Sequence, residues 1–233
     1  MRPVSLSRSA PSTRIWLASQ LDWAHVAASV ETRTGAERKL DSRKAQRIVE
    51  AMRVTAGRHG AAGATFDRVA QEAGVSRGLL HYYFGTKERL LAETVRHDAG
   101  LRMAQLEERL SRADSIDAII EALVTQLQDF VHEDAGHQAV LYEMFSASRR
   151  NEEIREELAR LYAGVRSHVA ALLREKDAAG VIDLRGDPEA VASVIFALGD
   201  GLELQLVSNP EWDSAAALET AVRTARFMLG ADD

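Results

Sequence analysis

"AGVSRGLLHYYFGTKERLL", residues 73 to 91, sets a histidine, two tyrosines and a phenylalanine side by side at positions 81 to 84, between a glycine-marked turn and a lysine. Aromatic residues make up only 6% of this 233-residue chain, so four consecutive rings in one turn of helix call for an explanation. A helix offers its core one stripe, which four neighbouring positions cannot share. The stretch therefore points to a ring-bearing surface meant for something outside the protein.

On the N-terminal side, apolar or small residues recur at Ala45, Ile48, Val49, Met52, Thr55 and Ala56. That i, i+3, i+4, i+7 stripe predicts a first helix from Ser42, with Arg43, Lys44 and Arg47 on its remaining surface. Glycines 57, 60 and 63 end it. Thr65 is placed to cap a second helix that turns Val69, Ala70 and Ala73 inward. Gly74 supplies a residue able to take positive φ, Val75 plugs the corner, and Ser76 is placed to cap a third helix. Helix, glycine-containing turn, helix is the layout of a helix-turn-helix.

The third helix has an apolar stripe of little more than Leu80 and Phe84, so its stability comes from elsewhere. Its other face carries Arg77, Gly78, Leu79, His81, Tyr82 and Tyr83. In such a motif the second helix lies in the major groove with its N-terminal residues at the base edges. Arg77 is near that end, and a guanidinium fork suits guanine O6 and N7. Gly78 leaves room for close backbone approach. Phenol and imidazole tips can donate to phosphate oxygens, their rings can lie against thymine methyls, and Lys87 adds a point charge for the DNA backbone.

Charge distribution agrees. The whole chain is at −6, which alone argues against nucleic acid. Residues 1 to 90, however, carry 15 Lys and Arg against 8 Asp and Glu, a net of +7, and the remainder carries 14 against 27, a net of −13. A basic module on an acidic one is expected when the first sits on phosphates and the second stays off them.

Residues 65 to 91, "TFDRVAQEAGVSRGLLHYYFGTKERLL", resemble the DNA-binding signature of TetR-type transcriptional regulators. The shared features are a Thr, an apolar-Ala pair, Ala-Gly-Val-Ser, a Gly, Leu-Tyr-x-Tyr-Phe and Lys-Glu at these spacings. With the first helix the resemblance covers about fifty residues. It departs at His81, where the family more often has tyrosine; an imidazole contact would be shorter and responsive to pH. The resemblance implies that Arg77, with Ser76 and Gly78, faces bases. It implies that Thr65, His81, Tyr82, Tyr83 and Lys87 hold phosphates of a pseudo-palindromic double-stranded operator.

Beyond Thr86 the chain reads as long amphipathic stretches with no competing strand pattern. A fourth helix, 87 to about 110, carries Leu91, Val95 and Leu106 and links the two modules. Further helices are expected at 115–132, 137–149, 152–177, 188–207 and 213–229. Asp187-Pro188 makes a clean start and Asn209-Pro210 a break. The fold class is all-α: an N-terminal three-helix helix-turn-helix domain at 41–86 and a C-terminal helical bundle at 87–233 for effector binding and dimerisation. The 188–207 helix is apolar on more than one face and must be buried on several sides. The resemblance implies that it and the last helix pair with their copies in a homodimer, resting on Val194, Leu198, Leu202, Leu218 and Val222. The alternative is that these residues are the domain's own core.

Residues 1 to 40 precede the first strong stripe and are expected to be dispensable for folding. They read as a flexible arm with Arg2, Arg8 and Arg14, as a docking helix built on Trp16, Leu17 and Trp23, or as the product of a start site set too far upstream. Gln20, Asp22 and His25 interrupt what a secretory signal would need to be apolar. Zero cysteines suit a reducing compartment, with cytoplasm the default. No membrane span is expected, because the run "VASVIFALG" at 191–199 ends at Asp200.

Enzyme signatures fail on inspection. "HEDAGH", 132 to 137, invites comparison with a zinc motif, but a spacing of five sets its histidines about 140° apart on a helix, against about 40° for a spacing of four. There is no phosphate-binding loop, and Gly199-Asp200-Gly201 lacks the rest of a dinucleotide fingerprint. No catalytic residue, metal or cofactor is expected. Glu143 and His168 are polar groups on apolar helices, more in keeping with solvated or internally satisfied side chains than with ligand contacts.

The reading is a homodimeric, effector-responsive DNA-binding regulator, most often a repressor in this family. Its alternatives are a DNA-bound protein-interaction factor without small-molecule effector, and a helical enzyme. Leu106, Leu127, Phe130, Tyr142, Phe145 and Tyr162 are candidate effector lining, mainly apolar with two phenols, for a neutral or cationic, mostly apolar molecule. A plain hydrophobic core is the competing explanation.

Overall fold

The structure is a computed structural model that describes residues 43–133 and 135–232. The expectations for residues 1 to 40 lie outside them. The described residues are helical and loop, in the order α1 (Arg43–Gly63), α2 (Phe66–Ala73), α3 (Arg77–Tyr83), α4 (Lys87–Arg112), α5 (Ile116–Glu133), α6 (Ala135–Ser148), α7 (Glu152–Ala178), α8 (Pro188–Ser208) and α9 (Ala215–Met228).

The punctuation expected of the head works with two differences. α1 runs through Gly57 and breaks at Gly60, where φ is +69°, and one short turn continues to Gly63. Gly74 takes φ +62° at the end of α2, and its N–H bonds the Ala70 and Gln71 carbonyls. Thr65 caps α2 by accepting from Arg68 N. Ser76 occupies the cap position of α3 with extended backbone, but its side chain makes no cap hydrogen bond. Arg47 is not a bystander on the surface: its Nη2 donates to Ala73 O at 2.5 Å and ties α1 to the end of α2.

Ile48, Met52, Val69, Leu80 and Leu90 are fully buried in one cluster, and Val140, Met144 and Ile154 from α6 and α7 belong to the same cluster. The head is therefore not an independent core set on a bundle; α1 packs more extensively against α6 than any other helix pair does. The 86/87 boundary falls inside one compact unit.

α4 spans 26 residues, about 39 Å at 1.5 Å per residue, and reaches from the head into the bundle. Thr86 caps its start by accepting from Arg89 N. Two ion pairs fasten its first half to α7, Arg89 to Glu153 at 3.0 Å and Arg96 to Glu157 at 2.8 Å. Buried Asp98 receives His137 Nδ1 of α6 at 3.0 Å.

α8 is long and apolar enough, by length and composition, to cross a membrane. Yet Asp200 and Glu203 stand in its middle, and its inward face is a wall of the bundle. Asp187 caps it by accepting from Ala190 N, with Pro188 in the first turn. After α9, Gly230 takes φ +98°, and an added Cβ would meet Asp183 O at 2.5 Å, too close for any side chain. This close approach lets Asp183 N and Arg185 N bond the Leu229 and Met228 carbonyls, pinning the chain end to the α7–α8 loop.

Candidate nucleic-acid interface and effector cavity

The four rings divide. Phe84 is buried beside Leu80 in the head core, and Tyr83 packs half-buried against it. Tyr82 is exposed, and its ring meets Tyr83 edge-on at 5.3 Å. His81 is exposed too, edge-on to Phe66 at 4.8 Å, with Nδ1 3.0 Å from the Gly85 carbonyl. The outward surface of α3 is thus His81 and Tyr82, with Tyr83 at its edge. Phe84 anchors the helix, which is why so short an apolar stripe suffices.

Arg77 projects from the start of α3 and meets both Asp67 oxygens, at 3.1 and 3.2 Å. The pair is exposed on both sides, so water screens it and a stronger acceptor can replace it. At Gly78 the nearest heavy atom to an added Cβ would be Ser76 Oγ at 3.9 Å, so the surface there is open. Lys87 Nζ donates to Ala61 O at 2.6 Å and to Ala62 O at 3.3 Å. Its ammonium therefore first serves the orphan carbonyls after the Gly60 break, where cations are favoured at helix ends.

The bundle holds a half-open cavity of about 240 Å3 walled by α4 to α9. Leu106, Leu127, Phe130 and Tyr162 line it as expected from sequence. Two others do not. Phe145 is 42% exposed and lies against Tyr162 from outside, ring centres 5.8 Å apart. Tyr142 stands behind the wall and donates to Glu203 Oε1 at 2.5 Å. Glu143 and His168 are not among the walls. His168 lies 3.3 Å from Glu107, and burial holds its pKa below the usual histidine range despite that carboxylate. The histidines of "HEDAGH" fall on different helices, His132 on α5 and His137 on α6.

The residues expected at a dimer interface divide. Leu198, Leu202, Leu218 and Val222 face the cavity of their own subunit. One side of α8 supports the bundle and walls the chamber, while Val194, Leu204 and Val207 on the remaining surface are exposed large hydrophobics. Val194 alone of the five is exposed, at 43%. Ala197 and Leu204 share its outward side.

Sequence reasoning missed the acids. Asp200 and Glu203, three apart on α8, both line the cavity. Burial pushes Glu203 up to about 7, Asp200's charge adding to the rise and the Tyr142 hydrogen bond opposing it. Burial also raises Asp200, against the hydrogen bond from Tyr162. Both phenols are raised, first by burial and then by these carboxylates. The available signal was two acids at i, i+3 on an otherwise apolar helix, which seat both on one face.

A three-helix head presenting a basic, ring-bearing α3, joined by α4 to a hollow helical bundle, defines a helix-turn-helix transcriptional regulator. The family model described as bacterial regulatory proteins of the tetR family matches residues 48–94. The model of the BetI-type transcriptional repressor C-terminal domain matches residues 112–229. The chain is 30% identical over 193 residues to the HTH-type transcriptional regulator BetI of Agrobacterium fabrum, covering 72% of this chain and 90% of that one. It is 24% identical over 184 residues to the HTH-type transcriptional regulator UidR of Escherichia coli, covering 79% and 90%. The chain belongs to the TetR family.

Solved structures share the fold. The Bacillus subtilis regulator FadR in complex with stearoyl-CoA superposes with a TM-score of 0.65 at 19% identity, covering 80% of this chain and 99% of that one. Reduced Escherichia coli NemR superposes with a TM-score of 0.66 at 18% identity, covering 82% and 100%.

Proposed function

We propose that this protein is a homodimeric, cytoplasmic repressor that occupies a pseudo-palindromic operator and leaves it when a small, mostly apolar molecule enters the bundle. The observation that carries the reading is the apolar cavity set directly against α4, the helix whose first residue is fastened to the head. The match to BetI-type repressor C-terminal domains supports the repressor role, and the stearoyl-CoA bound by FadR supports a ligand within this kind of fold. An occupant that fits one arrangement of α4 better than another shifts the spacing of two heads, and only one spacing suits adjacent major grooves.

Arg77, with Ser76 and Gly78, reads base edges; Thr65, His81, Tyr82, Tyr83 and Lys87 hold the backbone. The subunits meet across the outward side of α8 at Val194, Ala197 and Leu204, together with α9. Isologous pairing of these surfaces gives the two-fold axis that a pseudo-palindrome requires. Capture of genomic fragments by the full-length chain, footprinting and sedimentation test the reading together. Expected are a dimer and two protected half-sites spaced by about one helical turn or a multiple, with protection lost on adding small-molecule extract. A monomeric protein, or a footprint that no ligand alters, overturns it.

A further inference from the structure

We propose that the seam between α4 and α7 is an acid-sensitive latch: a proton taken up at His168 loosens α4 from α7 and lowers affinity for operator DNA, without any occupant of the cavity. The inference rests on the operator reading above and deepens it by naming a second regulator, the proton, which acts outside the cavity wall.

Polar contacts join the two helices in order along their length. Arg89 meets Glu153 at 3.0 Å, Arg96 meets Glu157 at 2.8 Å, Glu107 meets His168 at 3.3 Å, and Lys176 Nζ donates to the Ser111 and Ala113 carbonyls at 3.0 and 2.6 Å. α4 and α7 therefore run side by side in the same direction, fastened from the head end to the far end. Guanidinium, ammonium and ordinary carboxylate groups keep their charges across the neutral range, whereas an imidazole changes its own. His168 is thus the member of this seam that a small change in pH addresses. Its side chain is 11% exposed with Nε2 closed off from water, and the facing Glu107 carboxylate is 49% exposed. Burying an imidazolium costs free energy, and a carboxylate that water still solvates returns only part of it. Burial accordingly holds His168 below the usual histidine range, with Glu107 and then Glu175 of α7 pulling the other way. Other charged and titratable groups on the helices packed here are engaged elsewhere. Asp200 and Glu203 of α8 act on Tyr162, His137 of α6 meets Asp98 of α4 at 3.0 Å, and Arg102 of α4 lies over the Phe130 ring.

Proton uptake favours whichever arrangement gives the imidazolium water, and here that is a seam parted between Glu107 and His168. The seated form, with its lowered pKa, is the poorer proton binder. Above about 6.5, the ordinary histidine value, the imidazole is neutral in both arrangements and the proton has no influence. As pH falls below that value the parted form takes the proton first and gains; below the seated form's own pKa both are charged and the gain levels off. Two half-sites hold two heads at one spacing, and α4 carries its head through Lys87, whose Nζ donates to Ala61 O. DNA therefore binds best to chains whose seam is seated. In acid it must first expel a proton and re-order α4.

Hydrogen–deuterium exchange and fluorescence anisotropy on the full chain, from about pH 7.5 to about pH 5.5 at constant ionic strength, read the seam and the DNA separately. The DNA is a genomic fragment that the chain itself captures. After correction for the intrinsic pH dependence of exchange, protection around Leu106 of α4 and Val169 of α7 should fall on acidification while that of α1 holds. Operator affinity should fall by about tenfold, one pKa unit of difference between the two forms being worth a factor of ten per protomer. His168→Gln cannot take the proton and should lose both changes. His81 at the DNA surface and Glu203 in the cavity titrate in parent and variant alike, so the comparison cancels them. Glu107→Gln should act oppositely and steepen the acid loss, since it removes the charge that steadies the imidazolium in the seated form. Parallel pH profiles for parent and His168→Gln, protection lost evenly through every helix, or a weaker acid loss in Glu107→Gln overturns the proposal. A seam that loses protection in acid, in a chain that captures no DNA, leaves the latch standing and overturns the regulator reading; operator binding with a seam that ignores pH does the reverse.

Discussion

Arg77 Nη1 lies 3.1 Å from Asp67 Oδ2, so the side chain proposed to read a base is held across the turn by the first turn of α2. Such an exposed pair contributes about 0 to 1 kcal/mol to stability. It aims the guanidinium more than it holds the fold, and DNA must outcompete it. Arg77→Ala should weaken operator binding by about 1 to 3 kcal/mol and relax base choice at one position per half-site. Asp67→Asn should leave the melting temperature almost unchanged and raise affinity for operator and unrelated DNA alike, since it removes a competing negative charge. Fluorescence anisotropy on a panel of operator variants separates the two. An Arg77→Ala protein that loses affinity equally on every sequence is not missing a base reader.

Lys87 carries a different expectation, because its ammonium donates to Ala61 O at 2.6 Å within the head. A charged hydrogen bond to half-buried carbonyls is worth about 1 to 3 kcal/mol, so Lys87→Ala should lower stability by roughly that amount as well as weaken DNA binding without sequence preference. Thermal melting and a salt titration are the paired measurements. Unchanged melting with a salt slope lower by about one would assign Lys87 to phosphate alone.

The sequence made the head legible nearly residue by residue, because its signals are local. Thr65, Gly74 and Leu80 each do what spacing and side-chain chemistry predict, and the helix bounds beyond them follow from period and caps. What was hidden is tertiary. Leu202 and Leu218, given to a second subunit by the resemblance with the domain's own core as the alternative, also line the cavity, because apolarity shows that a residue is buried, not what buries it. Phe145 read as lining because nothing in the period of α6 says which side of α7 it meets. Glu203 was passed over because an acid on an apolar helix shows its worth only when α6 and α7 bring Tyr142 and Tyr162 to the same point.

The place of Leu202 in the cavity wall sets the expected behaviour of α8. Leu202 is 8% exposed and walls the cavity, so Leu202→Ala should cost about 2 to 5 kcal/mol and enlarge the chamber while the protein remains dimeric. Ala197, on the outward side with Val194, should behave oppositely. Ala197→Arg places a charge on the proposed subunit contact, and it should yield monomers with helix content retained. Sedimentation and far-ultraviolet circular dichroism decide the matter. Monomers from Leu202→Ala, or a stable Ala197→Arg dimer, would put the contact elsewhere.

Glu203 also makes stability depend on pH without any ligand. Burial raises its folded pKa from 4.5 to about 7, so between those values the native state binds the proton that the unfolded chain has released. The native state is then the better proton binder, and its stability falls as pH rises through this window. Below about 4.5 the carboxyl is neutral in both states and the contribution is fully present; above about 7 it is lost. Carboxylates held low by arginine, such as Glu157 beside Arg160 and Arg96, pull the other way, so the total curve alone does not isolate Glu203. The difference from Glu203→Gln does, because glutamine keeps the shape and an acceptor for Tyr142 Oη but does not titrate. Urea denaturation across pH 5 to 8 should show the variant gaining on the parent as pH rises, with the gap widest on the alkaline side. A gap independent of pH would mean that the Glu203 carboxyl ionises in the folded protein as it does in the unfolded chain.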